Sequence, residues 1–493
     1  MTNQTTGSAD LAHRHRFRRA IERSWFLRSA AMLMFWLAMG TPHGDSQTLH
    51  SFTGQSDGAF PFGGLAAGPN GALYGTTQYG GATTACPSGY SGAVFQMLPT
   101  ATARSGWTEK IIYGFSSDDH CFAFPLAAPT VGPSGELYGT DYYGGAHFVG
   151  SVYELIPPAA VSQPWTKATL YSFSFTVGAP QNPAGGLVRG SNGVLYGTVQ
   201  FAGTSQICGL TEGAYYGCGA VYSLTPPTSA GGEWTEQTLY VFQGGTDGSF
   251  PLDSLTTGSH GELYGVTSTG GGTTCTARNV SGPYFNVPTP GCGTVFELDP
   301  PTNSGGNWTE TPLYNFTGGR DGGFPNGLTY RDGKLFGTVT FGGDPNNCGG
   351  VGCGGVFELS PPELQGHPWT ESVLYSFASN QDGLFPAAGV VAGRDGTLYG
   401  TTRDGGDTAA CAQNPGCGIV YQLKPPLDSG GAWREQVLHR FSVVDGWLPT
   451  AGVVIGLDGN LYGTTWQGDT SPNCAGGCGV VFKVDTRKGW EDQ

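Results

Sequence analysis

Six aspartates stand at one recurring place in this chain, and they have the strongest claim to chemistry: Asp57, Asp119, Asp247, Asp321, Asp382 and Asp445. Each follows a Leu-x-x-Phe type tetrad by four or five residues, and all but Asp119 stand directly before a glycine. Gathered at the mouth of a channel, several carboxylates could hold Ca²⁺ through oxygen ligands or work as an acid/base pair. The same residues have a plainer use, because Asp-Gly is a turn signal whose side chain bonds its own backbone. A residue repeated in every unit usually serves the unit, so the turn role is the expectation and the Ca²⁺ role the alternative.

Aromatic residues that interrupt the pattern come next. Tyr142 and Tyr143, Tyr215 and Tyr216, and Tyr284 beside Phe285 lie in loops that differ from unit to unit. Exposed, they would suit stacking on sugar rings; turned inward, they would anchor the loops. The histidines His50, His120, His147, His260, His367 and His439 belong to no nucleophile motif, and His50 and His439 occupy the tetrad position that elsewhere is mostly tyrosine. Gly-x-Ser-x-Gly, phosphate-loop, His-Glu-x-x-His and EF-hand patterns are absent from the sequence, so no catalytic residue is assigned.

Ten of the twelve cysteines fall into close pairs inside single loops: Cys208/Cys218, Cys275/Cys292, Cys348/Cys353, Cys411/Cys417 and Cys474/Cys478. Cys86 and Cys121 are left to pair with each other. Two of the spacings would suit zinc, but a closed zinc site needs four N/S ligands and these loops hold almost no histidine. Disulfides are the better reading for an exported chain. Long Gly-rich loops stapled in this way on one face suggest a presented surface.

The elements that carry these residues repeat seven times. After each tetrad come a Phe-Pro type turn and a short apolar strand. A tight turn such as Asn70-Gly71, Asp332-Gly333 or Asp458-Gly459 then leads into Leu-Tyr-Gly-Thr, with Tyr74, Tyr138, Tyr196, Tyr264, Phe336, Tyr399 and Tyr462 in register. Asn-Gly and Asp-Gly tolerate positive φ at both central positions and so predict hairpins. A Gly-rich loop, a Gly-x-Val-Phe/Tyr strand and a strand opened by Trp complete each unit. Seven units of four short strands predict an all-β fold: a seven-bladed β-propeller of four-stranded antiparallel blades. The first tetrad, Leu49 to Phe52, has no Trp before it, and the last unit ends near Trp490. The N-terminal strand is therefore expected to join the last blade and close the ring.

Residues 1–46 differ in kind. Six arginines precede an apolar run from Ala30 to Met39 with small residues after it, the order of a signal peptide and linker. Residues 47–493 read as one propeller domain, secreted, extracellular or periplasmic, with no membrane insertion once the leader is cleaved. With 22 Lys+Arg against 37 Asp+Glu and a net charge of −15, the chain is a poor match for nucleic acid.

The phrase Leu73 to Thr77 with Gly80-Gly81, repeated at Leu398 to Thr402 with Gly405-Gly406, resembles the GloVer tandem repeats of exported bacterial proteins with a choice of anchor. The resemblance covers about residues 49 to 485 and implies a secreted or cell-surface repeat protein; it supplies no catalytic residues. The chain ends Arg487 to Gln493 where some members carry a sorting segment, so release or periplasmic retention is expected. The functional expectation is a monomeric binding or adhesion module for extracellular polysaccharide or another surface protein. The alternatives are a propeller enzyme acting on glycans or lactones, and a structural component of the envelope or matrix.

Overall fold

The computed structural model describes residues 46–81, 91–100, 106–116, 123–160, 162–208, 217–229, 231–272, 275, 291–303, 305–364, 366–409, 411, 415–428 and 430–486. Among them the strands form seven four-stranded antiparallel sheets arranged as the blades of a ring. Blade 1 runs outward through Leu65–Ala67, Leu73–Thr77, Ala93–Pro99 and Trp107–Gly114. Its short first strand touches the first strands of blades 2 and 7, which marks it as innermost. Closure follows the expected scheme: Ser46–Ser51 pairs with Val480–Val484 and is the outer strand of blade 7.

The repeated phrase is explained by what its residues touch. In blade 1 Gly75 lies opposite Phe95 in the ladder, and a Cβ on Gly75 would come within 2.4 Å of the Phe95 ring. The glycine of Leu-Tyr-Gly-Thr thus makes room for the aromatic of the third strand. The tetrad phenylalanine of the preceding blade packs edge-on to that same ring, as in Phe52–Phe95 at 5.2 Å, Phe242–Phe296 at 5.1 Å and Phe441–Phe482 at 4.9 Å. All six of these rings are buried. Such edge-to-face pairs contribute about 1 kcal/mol beyond the area they bury, and they lock each blade to the next. The Trp that opens the outer strand reaches back in the other direction, as Trp107 to Tyr462 and Trp308 to Tyr196.

The tight turns are more varied than their sequences suggest. Asp332 takes a φ of 53° beside the positive-φ Gly333, as the two-residue hairpin between Arg331 and Lys334 requires, and Asn70 takes 57° in a longer turn closed by Gly68 N–H to Ala72 O. At Gly135, Gly193, Gly261, Gly396 and Gly459 only the glycine is left-handed. There the chain closes through bonds such as Gly190 N–H to Val194 O, a three-residue turn with a glycine bulge. Among the described residues no helix is long and apolar enough to cross a membrane.

Candidate functional site

The recurrent aspartates sit in the turns that leave the outer strands. Asp57 accepts from Thr53 N–H at 2.8 Å and Thr53 Oγ1 at 2.5 Å. Asp321 accepts from Thr317 N–H and Tyr314 Oη at 2.8 and 3.2 Å, Asp382 from Ser379 N–H and Tyr375 Oη at 2.8 and 2.9 Å, and Asp247 from Gln243 N–H and Tyr240 Oη at 2.8 and 3.0 Å. Asp445 accepts from Ser442 N–H at 2.7 Å and lies 2.9 Å from His439 Nε2. Each closes its turn and ties it to the tetrad tyrosine or histidine. Burial alone would raise the Asp57 carboxyl, but hydrogen bonds from His50 and Thr53 hold it below its ordinary value. Asp445 is lowered against burial in the same way by His439 and Ser442. Asp119, Tyr215, Tyr216, Tyr284, Cys86 and Cys121 lie outside the described residues.

A second set of acids escaped the sequence reading. Glu109, Glu310, Glu371 and Glu435 stand on the outer strand of the next blade, and each is pushed up to about 7. Burial is the main cause, and the charge of Asp57, Asp247, Asp321 or Asp382 across the seam adds to it. The signal was present in Trp-Thr-Glu at Trp107, Trp308 and Trp369 and in Trp-Arg-Glu at Trp433. Among the described residues no three His, Cys, Asp or Glu side chains are grouped so as to hold a metal ion.

The aromatic residues make a different arrangement. Phe60, Phe124, Phe250, Phe324 and Phe385, each followed by proline, have φ between 54° and 58°; Asn182 and Leu448 take the same conformation in blades 3 and 7. A left-handed residue other than glycine costs on the order of 1 kcal/mol. It is held here by bonds to two blades. Phe60 N–H donates to Cys478 O of blade 7 at 2.8 Å while Phe60 O accepts from Gln78 N–H at 3.2 Å. The result is a row of rings beside the innermost strands, on the face that carries the cysteine loops. Trp466, Phe60, Tyr79, Phe124 and Tyr143 follow one another with centroids 5.6, 5.5, 5.3 and 5.9 Å apart, crossing blades 7, 1 and 2. Trp466 Nε1 donates to Gln78 Oε1 at 3.2 Å. Tyr143 is 37% exposed, whereas Tyr142 is buried with its hydroxyl donating to Gln200 Oε1. Farther round, Phe324, Phe341 and Phe385 form a shorter row, with the Arg403 guanidinium 5.8 Å from the Phe385 centroid and 2.8 Å from Asp404.

The five cystines expected in single loops are all formed: Cys208–Cys218, Cys275–Cys292, Cys348–Cys353, Cys411–Cys417 and Cys474–Cys478. They staple loops that share one face, and the second cysteine of every pair, Cys218, Cys292, Cys353, Cys417 and Cys478, is fully buried. Cys292 shows the physical reason. Its carbonyl accepts from Phe324 N–H of the next blade at 2.7 Å, and a Cβ on Gly323 would come within 2.9 Å of Cys292 Cβ, so the next connection is laid directly over it. Likewise a Cβ on Gly54 would meet both sulfurs of Cys474–Cys478 at 2.8 Å, and one on Gly244 would meet those of Cys208–Cys218 at 2.6 Å. These buried cysteines serve the seams and offer no contact to a ligand. Loop and connection share one face, and the cystines suggest an oxidising, extracellular or periplasmic environment.

The model of the Gloeobacter/Verrucomicrobia repeat matches residues 37–277 and 212–473. The chain belongs to this repeat family. The repeats account for the blades described above, and the rings of the face lie in loops between the family's framework strands. No curated protein matches the chain. Among solved structures, one described as an oxidoreductase (glucose dehydrogenase) from Thermus thermophilus is 13% identical, over 90% of this chain and 100% of that one, with a TM-score of 0.42. A luciferin-regenerating enzyme is 12% identical over 72% and 89%, with a TM-score of 0.39. A protein of unknown function from Dyadobacter fermentans is 12% identical over 80% and 96%, with a TM-score of 0.38.

Proposed function

We propose that this repeat protein is an exported binding module that takes extracellular polysaccharide on the face that carries its cystine loops. The observation that carries the reading is the row Trp466, Phe60, Tyr79, Phe124, Tyr143, five partly exposed rings spaced 5.3–5.9 Å apart along the inner rim. The C–H faces of pyranose rings stack on such surfaces, and each ring contributes about 1 kcal/mol. A row is therefore worth more to a polymer than to a single sugar. The rings stand on backbone locked between two blades, and neighbouring loops are stapled by cystines, so little ordering is left to be done on binding. The leader-like residues 1–46 and the cystines support secretion or periplasmic residence.

The test is a glycan array probed with the purified full chain, with Ca²⁺ and with EDTA. Retention of polymeric glycans in both conditions supports the reading. Retention of none overturns it, and appearance of shortened products assigns the face to an enzyme instead.

A further inference from the structure

We infer that the seam between blades 2 and 3 extends this binding face outward, and that its occupant is the same polysaccharide chain, restricted to neutral sugars. The inference rests on the polysaccharide reading above but on a separate observation: this seam breaks the repeat in two ways at once. Blades 3 to 7 place the second cysteine of a loop pair, such as Cys353 or Cys417, just before the third strand's Gly; blade 2 has Val149 there, preceded by Phe148. Other connections carry the turn-closing aspartate; this one reads Phe175-Thr176-Val177. The two segments are joined side by side, since Phe173 N–H donates to Gly150 O at 3.0 Å and Asn182 N–H to Val149 O at 2.7 Å.

What replaces cystine and aspartate is exposed apolar surface. Phe148, Phe175 and Val177 are all about half or more accessible. Phenyl rings that stand out into water in this way mark interaction surfaces. Phe148 stands out at a φ of 59°, a conformation disfavoured for any residue with a Cβ. The patch continues the row, because Tyr143 precedes Phe148 in the same short loop and contacts Phe124 at 5.9 Å.

Charge selects the occupant. Segments 142–150, 174–182 and 201–208 contain no Asp, Glu, Lys or Arg, and apart from tyrosine and cysteine His147 is their one titratable side chain, in a chain with 37 acids and 22 bases. Between the apolar groups stand the exposed Thr176, Thr204 and Gln206, uncharged donors and acceptors suited to sugar hydroxyls, while the buried Gln181 and Asn182 bond the backbone beneath them. A uronate polymer or an acidic peptide would find no counter-charge on these segments, within a protein of net charge −15.

Affinity electrophoresis of the full chain through gels containing hydroxyethylcellulose, xyloglucan, galactomannan or polygalacturonate tests this directly. The variants are Phe175→Ala, Phe148→Asn (Asn tolerates positive φ), their combination, and Trp466→Ala in the row. The wild type should be retarded by at least one neutral polymer and not by polygalacturonate, and the double variant should lose at least fivefold in affinity with an unchanged melting temperature. Full retardation of the double variant, with loss in Trp466→Ala, would overturn the seam and leave the row standing. Preference for polygalacturonate would overturn the neutral class. A wild type retarded by no polymer would overturn both and leave the patch to a protein.

Discussion

Asp253 of blade 4 accepts the backbone N–H of Gly327 in blade 5 at 2.7 Å. The bond stands where the repeat lacks its usual inner latch. In blades 1, 2, 3, 5 and 6 the threonine of Leu-Tyr-Gly-Thr donates to a carbonyl of the next blade, as Thr76 to Ala127 O at 3.0 Å, Thr198 to Asp253 O at 3.0 Å and Thr401 to Ala451 O at 2.8 Å. Blade 4 has Val266 at that position, so the hydroxyl is gone and a carboxylate from the segment leading into the innermost strand, Thr256–Thr257, holds the seam instead.

Asp253→Ala is therefore expected to destabilise the ring by about 1–3 kcal/mol, the cost of a lost charged hydrogen bond and a stranded N–H. Adding Val266→Thr should restore about 1 kcal/mol by rebuilding the latch. Denaturant melts of the single and double variants measure both, and a double variant no more stable than Asp253→Ala contradicts the exchange of one latch for the other.

Closure gives the second expectation. Ser46–Ser51 supplies the outer strand of blade 7, and Leu49 and Phe52 are buried in the junction with blade 1. Removing residues 47–53 strips both side chains and exposes Val480–Val484 as an edge. Each buried side chain accounts for about 2–5 kcal/mol, so the melting temperature should drop by about 10 °C or more. An unchanged melt would refute ring closure by this strand.

The third concerns pH. Glu109, Glu310, Glu371 and Glu435 are raised to about 7 in the folded protein, against about 4.3 in an unfolded chain. The folded state then holds more protons, so their contribution is complete below about pH 4.3 and is lost as pH rises through 7. An unscreened shift of this size would be worth about 3 kcal/mol per group. At half-buried sites solvent screening reduces it to about 1. Asp57 and Asp445, lowered in the fold, act oppositely and lose their contribution only as pH falls below about 3.9. Thermal melts should thus be higher at pH 5 than at pH 8, and Glu371→Gln should flatten the difference. A stability that rises from pH 5 to pH 8 would contradict this.

The blades were legible because their reasons are local. Gly75 faces Phe95 within one hairpin, and the turn, the glycine and the aromatic recur together seven times. The relations across seams were not. Tyr240, Asp247 and Glu310 form one group, yet Glu310 is about seventy residues from Tyr240, and only the ring brings its strand alongside. The pairing of Cys275 with Cys292 could be read from spacing, but the burial of Cys292 depends on the connection at Gly323, one blade further on. The left-handed Phe60 was hidden for a similar reason: nothing in Phe-Pro announces positive φ, which is imposed by a bond to Cys478 O at the far end of the sequence. The row of rings is assembled from three blades and has no sequence motif of its own.

The most direct measurement of the central claim is calorimetric titration of wild type and of Trp466→Ala/Tyr79→Ala with the best polymer from the glycan array. Removing two rings at about 1 kcal/mol each predicts at least a tenfold loss of affinity, with the melting temperature changed by no more than a few degrees. Equal affinity in the double variant would contradict the aromatic row as the binding surface.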